Sequence, residues 1–79
     1  MKVIANIPHD SCNITIYAWN QKYLIKYEQD DLEQTYKISE VEISNEKEVR
    51  EIAENKLFIK RVLDRFSEMR ADLMQAMGW

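Results

Sequence analysis

The sequence predicts an α+β domain: an antiparallel β-meander of three or four strands over residues 1–44, followed by one long amphipathic α-helix over residues 45–79. Two observations carry this reading. Up to residue 38 the chain holds runs of β-branched and aromatic residues that alternate with period two, separated by short polar breaks. From Asn45 onward the apolar residues follow a helical period instead, with Ile52, Ile59, Phe66 and Leu73 falling at every seventh position.

Lys2 to Ile7 alternates imperfectly, with Val3, Ala5 and Ile7 on one side, and reads as a short edge strand. Pro8 to Ser11 breaks it. Asn13 to Trp19 alternates strictly and reads as a strand with Ile14, Ile16 and Ala18 inward; Lys22 to Glu28 has the same texture. A two-residue loop at Asn20-Gln21 pairs Trp19 with Lys22, Tyr17 with Leu24 and Thr15 with Lys26 on one face. The other face then pairs Ala18 with Tyr23, Ile16 with Ile25 and Ile14 with Tyr27. A one-residue slip would invert one strand and expose its aliphatic side chains, so the pattern selects this register.

Gln29 to Leu32 reads as a polar turn, and Glu33 to Ile38 as the returning strand, with Tyr36 opposite Tyr27 and Ile38 opposite Ile25. The alternation then slips phase at Val41 and Ile43, which predicts a bulge near Ser39-Glu40 and a short further strand. Ser44 or Asn45 caps the helix, with Glu48 completing a capping-box pattern. Glu54-Asn55-Lys56 is the expected place for a kink or break. Gly78 suits a left-handed helix end, from which Trp79 can fold back towards Met74.

A chain of 79 residues makes one domain with a marginal core. Cys12 is the only cysteine and His9 the only histidine, which excludes an internal disulfide and the usual ligand set of structural zinc. No cofactor signature is present. Self-association is therefore the expected source of added stability. The lengths agree: a helix from 46 to 77 would span about 48 Å at 1.5 Å per residue, whereas strands of this size cover ~23 Å. Either the helix breaks near Asn55 and folds back within the monomer, or, as expected here, the distal stripe of Phe66, Met69, Leu73 and Met77 is the candidate interface of a homodimer.

The formal charge of -3 gives no net attraction to nucleic acid or anionic lipid. No run is long enough to cross a membrane. The short apolar start, ended by Pro8, falls well short of a signal-peptide core, so a cytoplasmic protein is expected. His9-Asp10-Ser11-Cys12 holds a base, a carboxylate and a thiol. Neighbours on an extended chain point apart, however, so a solvated turn is the expected reading and no enzyme is predicted.

The most informative surface is the outer face of the meander. There Tyr17 and Trp19 stand among Lys22, Lys26 and Lys37, a composition suited either to a protein partner or to stacking and following a single nucleic-acid strand.

The run Lys22-Tyr-Leu-Ile-Lys-Tyr-Glu, with Leu32-Glu-Gln-Thr-Tyr-Lys-Ile-Ser-Glu after it, resembles small uncharacterised proteins of Bacteroidetes-type bacteria. That resemblance brings no activity with it. In element order, Lys22 to Glu28 and the strand-to-helix junction from Ile43 to Ile52 make the chain similar to the positive-cofactor and Whirly type of single-stranded DNA-binding coactivators. The similarity implies a helix-paired dimer whose sheets grip the strand. The acidic pI and the lack of a lysine-rich hairpin depart from that family's pattern. The expected function is thus a non-enzymatic, cytoplasmic, homodimeric interaction protein, with single-stranded nucleic-acid binding as the alternative.

Overall fold

Short turns join each strand to the next, so the four strands lie side by side in chain order with every neighbour antiparallel. The strands are β1 (Lys2–Ile7), β2 (Asn13–Trp19), β3 (Lys22–Gln29) and β4 (Leu32–Ser39). Two helices follow, α1 (Glu46–Ala53) and α2 (Lys56–Ala76). This is a computed structural model that describes residues 1–78. The fold is the α+β meander-then-helix arrangement expected from the sequence. Trp79, and with it the expected fold-back onto Met74, lies outside the described residues.

The β2–β3 register matches the expected one pair for pair, from Trp19 opposite Lys22 to Ile14 opposite Tyr27. Asn20 and Gln21 both take positive φ, 52° and 62°, the backbone that a two-residue hairpin needs to follow strand twist. The β3–β4 register differs from expectation by two residues. The turn is only Asp30-Asp31, with Asp30 at φ 53°, and Gln29 already pairs with Leu32. Tyr27 consequently faces Gln34, and Ile25 faces Tyr36. A shift of two keeps every side chain on its expected face, because strand side chains repeat with period two.

Two further expectations are corrected. The pairing of β1 with β2 is irregular between Val3 and Ala5, with Ile4 as the extra residue. The bulge sets Val3 opposite Tyr17 on the outer face, while Ala5 and Ile7 lie on the inner one. Beyond β4, Glu40–Glu42 forms a 3-10 turn where a short further strand was expected. The backbone N–H of Glu40 donates to the Gln21 carbonyl, and that of Val41 to Ser39 Oγ, which bends the chain out of the sheet.

The helical span is two helices, separated at Glu54-Asn55, where a kink or break was expected. Asn45 Oδ1 accepts the Glu48 N–H at 3.0 Å and starts α1, while Glu48 Oε2 reaches back to the Ser44 N–H. Asn55 repeats the device, accepting the Phe58 N–H at 2.9 Å and starting α2. Both helices lie on the inner face of the sheet. Val49 and Ala53 of α1 and Ile59, Val62 and Phe66 of α2 form one buried cluster with Ile14, Ile16, Ile25 and Tyr27. Buried Tyr27 meets the partly buried Tyr36 and Phe58 edge to face at its border, with ring centroids 5.0 to 6.1 Å apart.

Polar side chains fix the helices to the sheet at three heights. Tyr27 Oη donates to the Ala53 carbonyl at 2.9 Å. Gln34 Nε2 donates to the Val62 carbonyl at 2.9 Å, and Gln34 Oε1 accepts from Tyr36 Oη. Arg70 Nη2 donates to Gln29 Oε1 and to Asp30 Oδ2 in the β3–β4 turn. Beyond Arg70, α2 runs past the sheet, which exposes Leu73, Met74 and Met77. Among the described residues no helix is long and apolar enough to cross a membrane.

Candidate functional site

With both helices on the inner face, the outer face of the sheet is left uncovered by the chain's own elements. Direct cross-strand partners share a face, so the registers lay its side chains out in rows. Trp19, Lys22 and Ser39 form the row at the β2–β3 hairpin end. Val3, Tyr17, Leu24 and Lys37 form the next, then Asn6, Thr15, Lys26 and Thr35, and finally Asn13, Glu28 and Glu33.

The second row is the apolar one. Leu24 is only 6% exposed although it lies on the face away from the helices. Val3 at 51% and Trp19 at 49% are open to solvent, and Tyr17 is half-buried. Isolated exposed apolar residues are ordinary on a protein surface; a contiguous row rimmed by charge marks an interaction site.

The lysines divide into two kinds. Lys26 is held within the face: its Nζ lies 3.6 Å from Glu33 Oε2 and 6.0 Å from the centroid of the Tyr17 ring. The Glu33 carboxylate, and after it Glu28, holds the Lys26 ammonium above its ordinary pKa. Among the described residues, Lys22 and Lys37 take part in no ion pair. The face thus has free positive charge at the hairpin end, an apolar row beside it and carboxylates at the far end.

All five residues expected on this face, Tyr17, Trp19, Lys22, Lys26 and Lys37, are brought together there. Val3 is an addition, and the three consecutive apolar residues Val3-Ile4-Ala5, which no regular strand alternation accommodates, are the signal for the bulge that puts it there. The residues expected at a helix-mediated dimer interface are divided instead. Phe66 is 0% exposed and belongs to the chain's own core, so it has no surface to offer a second chain. The break at Asn55 is the reason, since it lets α2 lie across the sheet. Met69 is partly buried against that core, and only Leu73 and Met77 are open.

The His9–Cys12 turn does not assemble an activated thiol. His9 Nδ1 accepts the Ser11 backbone N–H at 3.0 Å, and Cys12 is buried, which pushes its thiol pKa up. Among the described residues no three histidine, cysteine or acidic side chains converge to hold a metal ion. A groove of about 490 Å³ runs between the end of β1 and the start of α2, floored by Ile7, Ile14, Ile59 and Leu63. Lys60 on its rim is engaged by Asp64 at 3.0 Å. In comparisons with known proteins, no family model, no curated protein and no solved structure matches this chain.

Proposed function

We propose that this protein is a non-enzymatic interaction module that docks a protein partner on the outer face of its sheet. The observation that carries the reading is the Val3–Tyr17–Leu24 row beside Trp19, left open on a chain whose helices both pack on the other face. Aromatic side chains that are partly packed and partly exposed offer a large contact area at little cost in side-chain entropy, and they are enriched in interface centres.

Charge favours a protein over a nucleic-acid strand. A phosphate-following surface needs successive cations along one track. Here Lys26 is occupied by Glu33, and Glu28 and Glu33 would meet a phosphate chain with like charge. Lys22 and Lys37 alone suit an acidic rim on a partner whose centre is apolar.

A photo-crosslinking amino acid placed at Tyr17, with a second variant carrying it at Glu68 on α2 as control, tests the reading in the source cells. Peptide adducts confined to position 17 are the expected result. Oligonucleotide adducts at position 17, or equal labelling from both positions, overturn it.

A further inference from the structure

We propose that the partner for this face is the same face of a second copy, in a two-fold dimer whose axis lies between the two sheets and runs across the strands; this rests on the docking face proposed above. Charge is sorted along β3 and its neighbours. Lys22 and Lys37 stand towards one end of the face, Glu28 and Glu33 at the other. A two-fold axis parallel to the strands would place lysine end on lysine end. The axis across the strands reverses strand direction, so each lysine end meets a carboxylate end.

The registers fix where that axis passes. Superposing Lys22 of one copy on Glu28 of the other puts it at the level of the paired residues Ile16 and Ile25. Lys37 of each copy then faces Thr35 of the other, two residues along β4 from Glu33. The Tyr17–Leu24 row of each copy then lies over the Thr15–Lys26 row of the other, so the two apolar rows flank the axis about 7 Å apart along the strands at 3.4 Å per residue. The Lys22–Glu28 pairs fall at the two ends of the contact.

The face is small. Strands of about eight residues, four abreast at about 4.8 Å, give a patch of roughly 25 by 19 Å. Two such patches bury an area at the low end of specific interfaces, so a dimer with a dissociation constant in the micromolar range is expected.

Sedimentation equilibrium from about 1 to about 500 μM tests this, a range that brackets micromolar affinity. K22E/K37E and E28K/E33K are made as separate double variants, each checked for unchanged helix and sheet content by circular dichroism. Each alone brings like charges together across the axis, and its self-association is expected to weaken by about tenfold or more. Mixed in equal amounts, the two variants restore opposite charges at both ends, and a heterodimer is expected at about the wild-type strength.

A wild-type protein that is monomeric throughout the range overturns the proposal. So does a dimer indifferent to both double variants and dissociated by L73E/M77E, which would place the contact on α2. The crosslinking result separates this failure from that of the docking face. Adducts from position 17 to another protein leave the face standing and remove the self-pairing, whereas no adducts and no dimer remove both.

Discussion

Tyr27, near the end of β3, donates its hydroxyl hydrogen to the carbonyl of Ala53, the last residue of α1, at 2.9 Å. Both residues are fully buried, and the bond joins the sheet to the point where the helical segment breaks. It satisfies a carbonyl that the end of α1 leaves without an intrahelical partner. Tyr27→Phe removes the donor and leaves that carbonyl buried, so a loss of about 1–3 kcal/mol is expected in urea unfolding.

The same phenol sets an alkaline limit to stability. Burial, and then the nearby Cys12 and Tyr36, push its pKa well above the ordinary tyrosine value of about 10. The folded state therefore keeps a proton that the unfolded chain gives up first. The stabilisation is complete below about pH 10 and declines as pH rises further, because the unfolded state then binds fewer protons. Wild-type stability is expected to fall above about pH 10 with a steeper slope than that of Tyr27→Phe, as measured by unfolding midpoints across pH.

Phe66→Ala removes a fully buried ring from the interior of the chain and should cost about 3–5 kcal/mol. Since that ring packs within its own chain, the loss is expected to be the same at low and high protein concentration. A loss that disappears on dilution would place Phe66 in an intermolecular contact.

Asn55→Ala deletes the oxygen that accepts the Phe58 N–H at the start of α2. About 1 kcal/mol of destabilisation is expected, the usual cost of losing a side-chain cap, and Asn55→Gly should recover most of it. Thermal melts of the three proteins check the order.

Gln21 holds φ at 62° in the β2–β3 turn, a region that disfavours residues bearing a Cβ by roughly 1–2 kcal/mol. Gln21→Gly should stabilise the protein by about 0.5–1 kcal/mol after the extra freedom of glycine in the unfolded chain is subtracted. A melting temperature unchanged or lowered would contradict this account of the turn.

What the sequence made legible was what local chemistry controls. The β2–β3 register follows from two strictly alternating strands and a two-residue gap, which leave one pairing that buries Ile14, Ile16 and Ile25 together. The helix start at Asn45 follows from its capping oxygen. The five residues on the outer face follow from strand parity alone, which survives the two-residue shift in β4. The β3–β4 pairing was harder, because Tyr36 and Ile38 keep the same face whether the turn centres on Asp30-Asp31 or one residue later, so parity does not choose between registers two apart. Gln34 was unremarkable as sequence; it acquires a role only because the Val62 carbonyl and Tyr36 hydroxyl arrive beside it from elements distant along the chain.

By itself, then, the sequence determined the strands, the helical span, the faces and the positions of the caps, since these depend on periodicity and on side chains within a few residues of one another. The tertiary structure decided which of those faces are buried and which are open. An apolar stripe that stays in phase through Asn55 reads the same whether the helix is continuous or broken, and only the packing of α2 across the sheet assigns Phe66 to the chain's own core. Likewise only the placement of both helices on the inner side leaves Val3, Tyr17 and Trp19 uncovered. Burial depends on which surfaces meet, and surfaces from residues forty positions apart meet only in the folded chain, as Arg70 and Asp30 do.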